Sequence, residues 1–325
     1  MRSRRSLKRL GLLVSFGALS LAATCSPASA AVSIGQTGTP FVCDDNLAFL
    51  MGATGHAPSY TYTASPEGVV TSWSAAADLT PGRSLQLLIL RPDPSGGLNH
   101  YVAVGKDEVR PLTALGQLNT FTGLHLTIRP GEQIGLFLPD GQPGGESMCG
   151  FSSNDLGDVI RNNSPAGGEP PLGVSLDFPD NEQGLRVNVS AVVEPDADND
   201  GFGDETQDRC LSATGPMDGC PSNVFSFGAI TRNKKKGTAT ITVNVPNPGE
   251  LTGSGNGVKA SSAGPVVISK SVGAGQAQLL IKATGKKKRK LNETGKVKLN
   301  VSITYTPTGG NPGTQSVKVK LKKKL

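Results

Sequence analysis

The stretch TATITVNVP, residues 238–246, alternates polar and apolar side chains along its length. Ala239, Ile241 and Val243 fall on one side of an extended chain, and the threonines and Asn244 fall on the other. A period of two residues is what a β-strand with one buried face requires. The stretch therefore predicts a strand whose apolar side packs on a core, and it indicates that this part of the chain is a β-sandwich.

Similar runs surround it between residues 222 and 325. The strand candidates are VFSFGAITR, TATITVNVP, PVVISKSV, AQLLIKAT, KVKLNVSITYTP and QSVKVKLKK. About 100 residues with six or seven short strands are typical of an immunoglobulin-like sandwich.

Residues 31–194 carry at least seven further strand-like runs, separated by Pro-Gly and Asp-Gly pairs. LHLTIRP alternates, whereas SLQLLILRP is almost continuously apolar and predicts a central strand. Residues 154–171 are rich in Gly, Pro and Asn and predict a long exposed loop. The chain is expected to be all-β, with a jelly-roll-like sandwich at 31–194, a linker at 195–221 and an immunoglobulin-like sandwich at 222–325.

The N-terminus has the pattern of an export signal. A basic start is followed by the apolar run LGLLVSFGALSLAA and by the small residues ASA at 28–30. SRRSLK, residues 3–8, is also compatible with a twin-arginine signal, so the two export routes stay open. No later segment is apolar enough to span a bilayer, and we expect a secreted mature chain that starts near Ala31.

Cleavage at that point leaves four cysteines: Cys43, Cys149, Cys210 and Cys220. An even number in an exported chain predicts two disulfides, for which three pairings are possible. The short separation favours Cys210 with Cys220, which would leave Cys43 to pair with Cys149.

Charge divides the chain into two halves. Residues 31–221 contain 8 Lys and Arg against 24 Asp and Glu, whereas residues 222–325 contain 19 against 2. Two basic clusters are expected in loops and are candidate anion-binding sites: Lys234, Lys235 and Lys236, and then Lys286, Lys287, Lys288, Arg289 and Lys290. They indicate binding to a cell-wall or other surface polyanion, or to an acidic protein surface. Nucleic acid is not expected, because no aromatic side chains are interleaved for base stacking.

The segment DADNDGFGDETQDRC, residues 196–210, is the strongest chemical signal in the chain. Aspartates stand at positions 1, 3, 5 and 9 of a loop, with a glycine at position 6. Carboxylates at this alternation can converge on one hard cation, and Ca²⁺ takes six to eight oxygen ligands. No amphipathic helix is indicated on either side of this segment, so the pattern predicts a calcium loop of a type other than the EF-hand.

The pattern D-x-D-x-D-G-x-G-D, followed by an aspartate and a cysteine, resembles the thrombospondin type 3 repeat over residues 196–221. The resemblance implies calcium ligation by Asp196, Asp198, Asp200, Asp204 and the carbonyl of Phe202, with Asp208 as the closing carboxylate. Gln207 departs from the acidic closure of such loops. Bound calcium would turn the linker into a stiff joint between the two sandwiches.

The segment that opens with KKGTATITVNVP and ends in a Lys-rich tail resembles lysine-rich β-sandwich domains at the ends of many exported actinobacterial proteins. Motifs for catalysis, such as HExxH or GxSxG, do not occur. Trp73 is expected in a core, with a sugar-stacking platform as the alternative, and His125 is expected on a solvated strand face. We expect a non-enzymatic calcium-binding protein with a structural or adhesive role at the cell surface. The alternative is a secreted carbohydrate-binding accessory protein or hydrolase with its site in the first sandwich.

Overall fold

A computed structural model of the protein describes residues 30–52, 62–163, 168–255, 257–260 and 270–325. The predicted export signal lies outside the described residues except for Ala30. Strands dominate the described chain, which confirms the expected all-β sandwich class.

Within the described residues, fifteen strands lie before the acidic segment. They are β1 (Val32–Gln36), β2 (Pro40–Asp44), β3 (Leu47–Met51), β4 (Gly68–Ala76), β5 (Ser84–Pro92), β6 (His100–Lys106), β7 (Arg110–Pro111), β8 (Leu118–Ile128), β9 (Gln133–Leu138), β10 (Glu146–Ser152), β11 (Val159–Asn163), β12 (Ser175–Asp177), β13 (Asp180–Gln183), β14 (Leu185–Val187) and β15 (Val189–Glu194).

Eight strands and one α-helix lie after it. They are β16 (Ser226–Asn233), β17 (Thr238–Val245), β18 (Gly249–Ser254), β19 (Val258–Ala260), β20 (Lys270–Val272), β21 (Gly275–Ala283), α1 (Gly285–Thr294), β22 (Lys296–Pro307) and β23 (Gly313–Lys322).

The first fifteen strands form three sheets, with strand orders β1-β15-β4-β8, β14-β10-β2 and β12-β6-β5-β9-β3-β11-β13, and β7 adds to β5. The continuous apolar run in β5 is explained by burial on both faces. Leu87 and Ile89 belong to the main core with Trp73, whereas Leu88 and Leu90 pack in a second cluster with Phe178. The disulfide between Cys43 and Cys149 joins β2 to β10 and confirms that pairing.

The later strands form two four-stranded sheets, with orders β16-β17-β21-β19 and β20-β18-β22-β23. This separation of β16, β17 and β21 from β18, β22 and β23 matches the strand distribution of an immunoglobulin-like sandwich. The alternation in β17 is confirmed, since Ile241 and Val243 are buried and face Leu299 and Val301 of β22 in one core.

Two expectations about loops are wrong. Residues 286–290 lie on α1 and not in a hairpin loop. Buried Leu291 anchors this helix, and Gly295 ends it by donating its N–H to the Leu291 carbonyl oxygen (3.0 Å). The expected exposed loop at 154–171 contains β11, because pairing with β3 on one side and β13 on the other stabilises a strand that its composition disfavours.

Candidate metal centre

The linker, residues 195–221, follows directly on β15 and contains the acidic segment. Carboxylate oxygens of Asp196, Asp198 and Asp200 lie within 4.8 Å of one another. The disulfide between Cys210 and Cys220 closes the second half of the linker, as predicted. The alternating aspartates of the sequence therefore converge on one point.

Backbone hydrogen bonds explain this convergence. The Asp196 carboxylate accepts the N–H groups of Asp200 (3.0 Å) and Gly201 (2.9 Å), which folds the chain back over it. Asp200 in turn accepts the N–H groups of Phe202 (3.0 Å) and Gly215 (3.3 Å). Short acidic side chains can make such local bonds, and they fix the turn without using all of their oxygen lone pairs.

Asp198 is the member of the cluster whose carboxylate oxygens are unsatisfied. Both of its carboxylate oxygens are buried without a hydrogen-bond partner, as is Oδ2 of Asp208. The Ala213 N–H lowers the pKa of Asp198, but this N–H donates its hydrogen bond to the Cys210 carbonyl oxygen (2.8 Å). Buried carboxylate oxygens without a donor are costly, and a bound cation would satisfy them.

The electrostatics of the cluster point the same way. Burial raises the pKa of Asp198, and the charges of Asp200, Asp208 and Asp196 raise it further. The pKa of Asp204 is also raised, mainly by burial and further by the charges of the neighbouring aspartates. A hydrogen bond from the Ala197 N–H lowers the pKa but does not outweigh these causes. Like charges at short range resist ionisation, so a divalent cation in their midst would stabilise the charged forms.

Asp208 is held by contacts with both ends of the disulfide-bonded turn. Its Oδ1 accepts the Cys210 N–H (2.6 Å), and its side chain packs against Gly219, which has φ +75°. An added Cβ at Gly219 would clash with Asp208 Oδ1. The predicted closing carboxylate is not among the three that lie within 4.8 Å of one another, although its charge acts on Asp198.

Phe202 and Gln207 attach the linker to β8 of the first sandwich. The Phe202 ring lies 4.6 Å from the His125 ring, and the Gly201 carbonyl oxygen is 3.2 Å from His125 Nδ1. Gln207 Nε2 donates to the Leu124 carbonyl oxygen (2.8 Å). His125 is exposed on the strand, as expected, but it also contacts the linker.

Glu194 is a residue whose role sequence reasoning missed. It is 2% exposed, and its carboxylate accepts hydroxyl groups of Thr71 (2.9 Å) and Thr206 (2.6 Å). The N–H groups of Glu205 (3.0 Å) and Thr206 (2.8 Å) also donate to it. Burial alone would raise the pKa of Glu194, but these hydrogen bonds outweigh burial and lower the pKa. Glu194 thereby fastens the linker to β4.

The far end of the linker contacts the second sandwich. Ala213 packs against Gly309, and Asn311 Nδ2 lies 3.5 Å from Cys220 Sγ. Gly309 and Asn311 both belong to the turn between β22 and β23. The linker is therefore in contact with both sandwiches rather than a free tether.

The two predicted basic clusters lie on the second sandwich and away from the aspartates in sequence. Lys234, Lys235 and Lys236 are exposed in the turn between β16 and β17. On α1, Lys286, Lys288, Arg289 and Lys290 are exposed and Lys287 is half-buried.

Trp73 does not form an exposed platform for sugars. It is 1% exposed, packs against Phe121 with ring centroids 4.6 Å apart, and donates its Nε1–H to Asp107 (2.8 Å). This burial confirms its expected place in the core.

Comparisons with known proteins add no assignment. The chain matches no family model in a scan of protein families, and a search of curated proteins found no match. No helix within the described part of the chain is both long and apolar enough to cross a membrane.

Proposed function

We propose that this chain is an exported, non-enzymatic calcium-binding protein with a structural or adhesive role at the cell surface. Its linker would hold Ca²⁺ through Asp196, Asp198, Asp200, Asp204, Asp208 and the carbonyl of Phe202. The observation that carries the proposal is the pair of buried Asp198 oxygens without hydrogen-bond partners, beside two further aspartates within 4.8 Å.

Calcium suits this ligand set better than a transition metal. The cluster offers hard carboxylate oxygens and contains no imidazole. The two cysteines of the linker form a disulfide, so they offer no free thiol. Mg²⁺ usually retains several waters and demands strict octahedral geometry. A loop that wraps around the ion meets the more flexible coordination geometry of Ca²⁺ more readily. Export would expose the site to millimolar calcium and is also supported by the disulfides and by the N-terminal signal pattern.

The proposed consequence is mechanical. The linker contacts β8 and β4 on one side and the turn between β22 and β23 on the other. Calcium would remove the repulsion among the aspartates and hold this segment in its docked form. The relative arrangement of the two sandwiches would then be stiffer with calcium than without it.

Thermal unfolding of the full chain in about 2 mM calcium and in chelator tests the proposal. A site with a Kd near 0.1 mM would raise the free energy of unfolding by roughly 1–2 kcal/mol. Magnesium at the same concentration serves as the matched control and should have a smaller effect. Identical melting in calcium and in chelator, with no calcium in the purified protein by elemental analysis, would contradict the proposal.

A further inference from the structure

A cationic pocket lies between α1 and the exposed face of β22 and β23. Its volume is about 360 Å³, and side chains from all three elements line it. The lining residues are Lys287, Lys290, Lys296, Val297, Lys298 and Lys320. Lys296, Lys298 and Lys320 lie outside the two basic clusters that were expected in loops, because they alternate with apolar residues along strands.

The strand register forces lysines together. Lys298 of β22 lies directly opposite Lys320 of β23, and Lys296 lies opposite Lys322. All four are exposed on one face, while the alternate residues Val297 and Leu321 are buried on the other. Like charges directly opposite each other destabilise a strand pair, so the arrangement has a cost to folding.

The helix adds two more charges to the same pocket. Lys287 and Lys290 are three residues apart and therefore share a helix face, where like charges again repel. Lys287 is half-buried, and its aliphatic stem packs against Gly257. Buried Leu291 holds α1 on the sandwich. These contacts fix the helix and keep its lysines at the pocket.

The pocket contains no compensating acid. None of its lining residues is acidic, and residues 222–325 include only Glu250 and Glu293. Every ion pair found within the described residues lies before residue 222. Five lysines therefore line one pocket without an acidic side chain among them, and a bound anion would offset their mutual repulsion.

From this arrangement we infer that the pocket is a binding site for clustered phosphate groups. Lysine ammonium groups act as point charges that select high charge density rather than the planar shape that arginine reads. No aromatic side chain lines the pocket to stack on a base or a sugar ring. The inference deepens the adhesive part of the proposed function by assigning the charge class of the surface ligand, and it does not depend on the calcium site.

Binding of inorganic tripolyphosphate to the full chain, measured by calorimetry in calcium-free buffer, tests the inference. The variant Lys298→Gln with Lys320→Gln removes two pocket charges and should weaken binding about tenfold or more. The matched control, Lys282→Gln with Lys324→Gln, removes the same charge from two exposed lysines that do not line the pocket and should change the affinity by less than about twofold. Binding by the wild type should fall as salt rises.

Equal weakening by the two double variants would overturn the inference, because it would indicate diffuse attraction to the whole basic sandwich. Failure of the wild type to bind tripolyphosphate would overturn it as well. A second pocket variant, Lys287→Gln with Lys290→Gln, should reproduce the loss from the helix side. The strand variant should melt at or above the wild-type temperature, since it removes a like-charge pair, and this separates lost binding from lost folding.

Vesicles distinguish the sources of phosphate. Pocket-dependent binding to phosphatidylglycerol vesicles, with none to phosphatidylcholine vesicles, would place the ligand on a lipid surface. Pocket-dependent binding to tripolyphosphate alone would indicate a soluble or wall-bound polymer. The calcium melting experiment is independent of both measurements, so failure of the metal site and failure of the phosphate pocket give different results.

Discussion

The side-chain amide of Gln207 donates to the carbonyl oxygen of Leu124, 2.8 Å away and 83 positions earlier in the chain. The other atom of the same amide, Oε1, accepts the N–H of Gly203 (3.1 Å). This position carries a bidentate glutamate in an EF-hand loop. In this chain it fastens the linker to β8, and the amide is required because a carboxylate cannot donate to a carbonyl oxygen.

Gln207→Glu should therefore destabilise the protein in chelator. The variant leaves the Leu124 carbonyl oxygen facing a second acceptor, and we expect a loss of about 1–3 kcal/mol in the free energy of unfolding, measured by denaturant titration. Gln183→Glu makes the same chemical change on the exposed edge strand β13 and should cost less than about 0.5 kcal/mol. Equal losses in the two variants would show that the Gln207 contact does not matter.

The effect of Asp198→Asn on stability should change sign when calcium is added. In chelator the variant removes a buried charge that its neighbours repel, and we expect a melting temperature above that of the wild type. In about 2 mM calcium the variant lacks the central ligand, and we expect it to lose most of the roughly 1–2 kcal/mol that calcium contributes.

Asp180→Asn is the matched control for that experiment, because it removes one carboxylate from an exposed strand far from the linker in sequence. Its response to calcium should equal that of the wild type. A calcium response in Asp198→Asn as large as that of the control would contradict the proposed ligand set.

Glu194→Gln should destabilise the protein most near neutral pH. Four groups donate to the carboxylate, and an amide nitrogen in its place would face donors, so we expect a loss of about 2–4 kcal/mol at pH 7. Because the pKa of Glu194 is lowered on folding, its contribution is present above the ordinary glutamate pKa of about 4.3 and is lost as the pH falls through the lower folded-state value. The difference between variant and wild type, measured by urea titration, should therefore shrink below pH 4.3 or so. A difference that stays constant from pH 7 to pH 3 would contradict the assigned role.

Gly219→Ala should weaken calcium binding through Asp208. The residue has φ +75°, and an added Cβ would displace the Asp208 carboxylate. Gly141→Ala is the matched control, with φ +79° and no atom within 4 Å of the added Cβ. Both variants should lose about 1 kcal/mol of stability from the left-handed backbone alone. Only Gly219→Ala should also weaken calcium affinity, measured by calorimetry, and unchanged affinity in that variant would remove Asp208 from the ligand set.

The strands were predictable where one buried face gives the sequence an alternation of apolar and polar residues. Residues 238–245 show this, as do Val319 and Leu321 between exposed lysines. The helix α1 was not, because GKKKRKLNET shows no apolar periodicity and only Leu291 is buried. The high helix propensity of lysine and arginine was the available signal. β11 could not be predicted for a different reason, since one of its two pairing partners, β3, is far away in sequence.

The convergence of Asp196, Asp198 and Asp200 was predictable because local spacing determines it. The roles of Glu194 and Gln207 were not, because each depends on a distant partner, Thr71 and Leu124 respectively. The lysine-lined pocket could not be predicted either, since Lys298 lies opposite Lys320 only through the register of two strands.

The docked linker has a consequence for the protein under load. A pull that separates the two sandwiches would first act on the hydrogen bonds of Gln207 and Glu194, so the molecule would resist extension before it lengthens. The Cys210–Cys220 disulfide, which spans a sequence separation of 10, would then keep roughly 30 Å of contour length out of the stretched chain. Yielding would occur in two steps, and the second would require a reductant.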